Sequence, residues 1–222
     1  MNTDRSTGVP RRGQGERAGL SAEQVLAAAR RLVKEEGLEA LTMRRLAGRL
    51  GVAPNTLYSH YTDKAALLDA FLDSLLGEID VPDLNQLDWR EGLIQLMRAS
   101  RDMLLSHADL LPHLFARPLR GQNVTRLGEA SLVLLARGGL DGQPAIDALR
   151  AMLMLTFGSV IIEAPRRREP DPEARRRQVH AAIVATGGHP RMTRLAESVA
   201  QPPDESTFES GLRWLLDGIA HS

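Results

Sequence analysis

The sequence predicts an all-α fold, and three observations carry the prediction. Apolar residues recur at helical spacing from Val25 to Ile219, with no alternating strand pattern of useful length. Ser, Thr, Asp and Pro stand where helices would begin, and Gly where they would end. The composition, 43% hydrophobic and 25% charged over 222 residues, belongs to a chain that can bury a sizeable core.

Residues 1–19 are rich in Gly and Arg and hold almost nothing to bury, which predicts a flexible basic arm carrying Arg5, Arg11, Arg12 and Arg17. Ser21 and Gln24 have the spacing of a capping box, in which each side chain satisfies a backbone N–H of the other. Val25, Ala29, Leu32 and Val33 then form a helical stripe that ends at Gly37. Thr42 caps a second helix, MRRLAGRL, and Gly51 stops it. Pro54 suits the first position of a short third helix, where a missing N–H costs nothing, and that helix ends near Tyr61. Thr62 or Asp63 caps the fourth, KAALLDAFLDSLLGEI, with an apolar stripe of Leu67, Ala70, Phe71 and Leu75.

VPDLNQLD, residues 81–88, breaks the periodicity and reads as a connection. Helical patterns resume at about 89–106, 108–116, 122–138, 143–164, 172–186, 190–200 and 205–220. Residues 20–66 therefore form a small three-helix unit, helix four (63–79) connects it, and 81–222 form a larger helical domain. ALRAMLMLTFGSVII, residues 148–162, is apolar nearly all round and must be covered on every side. The cover comes from the same chain or from a second copy. FESGLRWLLDGIA adds a stripe of Phe208, Leu212, Leu215 and Ile219, and two such helices per subunit would suit a four-helix dimer contact.

Charge and composition remove several function classes. Net charge is zero, so no global field draws the chain to nucleic acid or membrane. Residues 1–62 nevertheless carry ten Lys and Arg against six Asp and Glu, a local basic excess. The absence of cysteine excludes disulfides, thiolate metal sites and cysteine nucleophiles. The N-terminus has no apolar signal core, and the run Ala151 to Ile162 is too short to span a bilayer, so a cytoplasmic protein without a membrane partner is expected. A nucleophile elbow, a phosphate-binding glycine loop and paired metal-ligand spacings are all missing, which argues against an enzyme and against a bound cofactor.

Residues 42–61 carry the functional signal. Ala47 is small where two helix backbones approach, Gly51 sits at the turn, and Leu46, Leu50, Val52 and Leu57 form the inner seam of a helix-turn-helix. Its outer face offers hydrogen-bond donors: Thr42, Arg44 and Arg45 on helix two, Asn55, Thr56, Ser59 and His60 on helix three, and Lys64 at the start of helix four. Such groups suit phosphates and base edges. Both tyrosines of the chain, Tyr58 and Tyr61, fall in this stretch. A catalytic tyrosine, a core anchor and a ligand-contacting surface are the three readings of the pair.

LTMRRLAGRLGVAPNTLYSHYTDKAALLDAF resembles the DNA-binding domain of the tetracycline-repressor (TetR) family, most specifically in its LYxHYxxK element. The resemblance implies that Thr42 and Tyr58 meet phosphates, with Lys64 at the N-terminus of helix four. It implies base reading by Arg44, Asn55, Thr56 and Ser59, with Tyr61 packed inward. DWREGLIQLMRASRDMLLSHADLL, HLFARP, TFGSVIIE and FESGLRWLLDG resemble the C-terminal domain of the tetracycline repressor's own branch. This implies an effector pocket and dimerisation through about 143–164 and 205–220.

Two departures bear on the effector. His113 matches a magnesium-binding histidine of tetracycline repressors, but Ala116 replaces a hydroxyl-bearing residue, and Glu163 comes one residue later than the corresponding acid. A magnesium–tetracycline site is therefore not expected, and His113 reads as an ordinary histidine before it reads as a pocket residue. Met97, Met103, Met152, Met154, Phe115 and Phe157 are candidates to line a pocket for a small apolar or amphipathic effector, although each alone also reads as plain core. RRREPDPEARRR, residues 166–177, reads as a solvated charged loop. The expected protein is a homodimeric, ligand-responsive repressor of a palindromic double-stranded operator. The rivals are a regulator of the same fold that answers a protein partner, and a helical ligand-binding protein or enzyme that uses the C-terminal cavity.

Overall fold

A computed structural model describes residues 20–81, 83, 86–116 and 120–220. The arm at 1–19 and the side chain of Phe115 lie outside the described residues. Among those described are twelve α-helices, two 3-10 turns and no strand.

The N-terminal unit is α1 (Ala22–Glu36), α2 (Met43–Leu50) and α3 (Pro54–Tyr58), followed by the long α4 (Lys64–Leu76). Local chemistry sets each boundary. Ser21 and Gln24 complete the capping box of α1, with Ser21 N–H donating to Gln24 Oε1 at 2.9 Å and Gln24 N–H to Ser21 Oγ at 3.2 Å. Thr42 caps α2 and Asp63 caps α4. Gly51 takes φ +67°, the left-handed turn that lets α3 fold back across α2. Val25, Ala29, Leu32, Leu46, Ala47, Leu57 and Leu67 are buried together as the seam of the unit.

The C-terminal part comprises α5 (Trp89–Ser106), α6 (Leu111–Ala116), α7 (Gln122–Arg137), α8 (Gly142–Arg166), α9 (Pro172–Thr186), α10 (Pro190–Arg194), α11 (Ala196–Ala200) and α12 (Glu205–Ala220). α5 lies at the centre against α7, α8 and α12. α9, α10 and α11 pack on one another. The expected helix at 108–116 is a 3-10 turn (Ala108–Leu110) leading into α6, and the one at 190–200 is divided at Leu195. α8 has 25 residues and outruns the apolar stretch 151–162, so by length and composition alone it could cross a membrane. It packs instead against α5, α7 and α12.

Two polar fastenings stand out in this apolar body. Arg101 of α5 is 1% exposed and ion-paired with Glu163 of α8, while its guanidinium lies 5.3 Å from the ring centroid of Phe208 on α12. The second joins α4 to α7. Gly121, at the start of α7, has no side chain with which to cap it. Asp73 of α4 does so instead, accepting from Asn123 N–H and Val124 N–H at 3.0 Å each and from Asn123 Nδ2 at 3.1 Å. Arg126 completes the joint by donating to the carbonyls of Leu76 and Ile79 at 3.2 and 3.0 Å. Gly121 has φ +153°, and a Cβ there would sit 2.1 Å from Asp73 Cγ. Asp73→Ala is expected to cost about 1–2 kcal/mol, the usual loss on removing a helix cap. Gly121→Ala should cost no less, since it displaces the same carboxylate. Thermal melting checks both, and an unchanged midpoint would count against the joint.

Candidate functional site

The turn between α2 and α3 presents an exposed polar face. Arg44, Asn55, Ser59, His60 and Lys64 are exposed, Thr42 and Thr56 are half-buried, and Tyr58 is 50% exposed. Tyr61 is 9% exposed and packs in the seam, where burial raises its phenol pKa. One tyrosine is thus exposed and the other buried, as the family resemblance implies. Ser59 Oγ donates to Thr56 O at 2.7 Å, leaving its lone pairs outward. Thr42 Oγ1 accepts from Arg45 N–H at 3.2 Å, which leaves its own proton available.

The arginines of α2 divide into two kinds. Arg44 has no ion-pair partner among the described residues. Arg45 is held by Glu36 at 2.5 Å, and Arg49 by Glu35 and Glu36 at 2.6 and 2.5 Å. The hydrogen bond from Arg49 and the charge of Arg45 hold the Glu36 carboxyl below its usual range. Arg45 therefore stands less free than its sequence position suggested, because the acidic end of α1 reaches it. The pair Glu35–Glu36 signalled this in the sequence, and Arg49 was the residue overlooked.

Between α4 and the C-terminal part, helices α4, α5, α7 and α8 surround a cavity of about 240 Å³. Leu72 and Leu76 of α4 form one wall, and Leu96, Met97, Ser100, Met103 and Leu104 of α5 another. Val124, Leu127, Gly128 and Ser131 come from α7, Leu149, Leu153, Thr156 and Phe157 from α8, and Leu114 from α6. Of the pocket candidates, Met97, Met103 and Phe157 line this cavity. Met152 does not: it is fully buried beside the cavity, in the packing between helices. Met154 is 72% exposed on the opposite face of α8. His113 is exposed and absent from the lining, since its helix turns Leu114 inward instead. Glu163 is engaged by Arg101 and Arg167, so neither polar residue of the magnesium comparison faces the cavity. The serine and threonine lining escaped the sequence reading, although Leu127 and Ser131 share the inward face of α7. The arginine run 166–177 is largely spent on acids, with Arg168–Asp109 at 2.9 Å, Arg175–Glu169 at 3.5 Å and Arg176–Glu173 at 2.6 Å.

Residues 25–71 match the family model for bacterial regulatory proteins of the tetR family, and residues 81–222 match the tetracyclin repressor-like C-terminal domain. The chain belongs to the TetR family. TetR proteins are helix-turn-helix transcriptional regulators, and this chain is one by both of its matched segments. The tetracycline repressor protein class A from transposon 1721 of Escherichia coli is 33% identical over 205 residues, covering 90% of this chain and 91% of that protein. The repressor DrrR1 of Streptomyces coeruleorubidus is 29% identical, covering 93% and 79%. Among solved structures, the TetR-family protein ActR of Streptomyces coelicolor in complex with actinorhodin superposes with a TM-score of 0.81 at 27% identity, over 91% of this chain and 96% of that one. The apo form of ActR gives 0.79 at 26% identity, over 92% and 96%.

Proposed function

We propose that this TetR-family regulator is a homodimeric repressor that binds a palindromic double-stranded operator and leaves it when a small molecule enters the cavity. The observation that carries this reading is the position of α4. Leu72 and Leu76 border the cavity, while Leu67, Leu68 and Phe71 of the same helix sit in one core with α1–α3. A molecule that prefers one setting of α4 therefore also prefers one spacing of the two recognition helices. It shifts the equilibrium only by its differential affinity for the two settings. Residues 20–66 are assigned to DNA, α4 to the connection, and 81–222 to effector binding and dimerisation. With DNA as its target, the protein acts in the cytoplasm, and the reading needs no catalytic step.

The dimer assignment rests on exposed apolar side chains on two packed helices: Met154, Ile161 and Ile162 of α8, and Trp214 of α12. Two α3 helices related by a two-fold axis read half-sites roughly 34–36 Å apart, or a multiple of that. Thr42, Tyr58 and Lys64 are assigned to phosphates, Arg44, Asn55, Thr56 and Ser59 to bases, and His60 to the edge of the contact. Arg45 joins them only by leaving Glu36. Selection from a random-sequence DNA pool by the purified protein tests the function. A palindrome supports it, and no enrichment from a folded, dimeric protein defeats it. On the selected site, Arg44→Ala should cost about 1–3 kcal/mol and relax preference at one base pair. Lys64→Ala should weaken all sequences alike and flatten the salt dependence. Identical specificity changes in both variants would refute this division of roles.

A further inference from the structure

The polar groups in the cavity wall say what kind of molecule enters it; the inference rests on the cavity being the effector site. Of the sixteen described residues that line it, three have polar side chains and none is charged. Ser100 comes from α5, Ser131 from α7 and Thr156 from α8, one hydroxyl from each of three walls. Each gives its proton to its own helix: Ser100 Oγ to Leu96 O, Ser131 Oγ to Leu127 O and Thr156 Oγ1 to Met152 O, all at 2.8 Å. A hydroxyl has one proton and two lone pairs. With the proton committed, each presents only acceptor capacity to the cavity.

Among the described residues, the rest of the wall adds no donor. Its side chains are aliphatic, thioether or phenyl, and the N–H groups of a helix interior are bonded within the helix. The sulfur of Met97, 3.7 Å from Thr156 Oγ1, is at most another weak acceptor. A guest hydroxyl or N–H therefore finds a partner at once. A guest carbonyl finds one only if a Ser or Thr abandons its helix carbonyl. A guest carboxylate finds neither a donor nor a counter-charge among these described residues, which is costly in an apolar enclosure.

We infer that the effector is an uncharged, mainly apolar molecule bearing at least one hydroxyl or N–H donor, and that this regulator rejects anionic ligands and metal chelates. A matched fused-ring series on the full-length protein tests this by titration calorimetry. The probes are naphthalene, naphthol as donor, cyanonaphthalene as acceptor of similar size, and naphthoate as anion. Naphthol should bind about ten-fold more tightly than cyanonaphthalene, a difference of the order of one hydrogen bond gained against one forgone. Naphthoate should bind roughly a hundred-fold more weakly than naphthol, or not at all. In the combined variant Ser100→Ala, Ser131→Ala, Thr156→Val, the preference for naphthol over cyanonaphthalene should vanish.

Cyanonaphthalene binding as tightly as naphthol overturns the donor requirement. Naphthoate binding as tightly overturns the requirement for neutrality. The wild-type series decides both points even if the combined variant does not fold. Failure of all four probes removes the effector-site reading beneath the inference. Naphthol that binds without releasing selected DNA refutes the proposed regulation but leaves the ligand class standing.

Discussion

Glu163→Ala should destabilise the protein by about 3–5 kcal/mol, because it strands a buried cation. Arg101 is 1% exposed and draws its nearest full compensation from Glu163. After the substitution it retains the solvent-exposed carboxylate of Asp102 at 3.5 Å and the ring of Phe208. Neither replaces a carboxylate that is itself only 15% exposed. Urea unfolding followed by circular dichroism measures the loss, and a change below about 1 kcal/mol would mean that water or Asp102 takes over the role of Glu163. The double substitution Arg101→Met with Glu163→Leu should recover most of the stability, since the pair's desolvation cost disappears along with its attraction. Recovery would identify the pair as a device that aligns α5, α8 and α12 rather than as a source of stability.

Trp214→Glu is expected to turn the proposed dimer into a monomer and reduce operator affinity by about 10²–10⁴-fold, the advantage of joining two half-site contacts in one particle. The indole is 75% exposed on α12, beside the helix that carries Met154 and Ile161. Its removal leaves the subunit core intact, while a carboxylate at the centre of an apolar contact goes unpaired. Sedimentation velocity gives the subunit number, and melting shows whether the subunit still folds. A dimeric variant with full operator affinity would place the subunit contact elsewhere.

Most of the architecture was legible because its signals are local. The Ser21–Gln24 box, Thr42, Asp63 and the turn at Gly51 each fix a boundary through bonds that span a few residues. The opposite facing of Tyr58 and Tyr61 was implied by the resemblance of the surrounding motif and not by the residues alone. What escaped depended on contacts far apart in sequence. The clasp on Arg45 and Arg49 needs α1 and α2 to meet, and Asp73 reaches across fifty residues to Asn123. Cavity lining is of the same kind. Met97 and Met152 look alike in sequence, and only the packing of α5 against α8 decides which of them borders empty space. Hydroxyl residues escaped for a further reason. A serine in a helix reads as a solvent-facing polar group until a neighbouring helix covers it.

One apolar core runs from Val25 in α1 through α4 to Leu104, Leu110 and Leu114, and on to Val160 of α8. The connecting stretch at 81–88 is therefore a seam in the sequence but not in the packing. A chain joined to a relative's head at that stretch would set Phe71, Leu72 and Leu75 against foreign neighbours. On the proposed reading, operator preference lies on the exposed surface of α2 and α3, and ligand preference on the cavity side of α5, α7 and α8. The α4 face touches both, so a substitution there disturbs the core of α1–α3 and the cavity wall together.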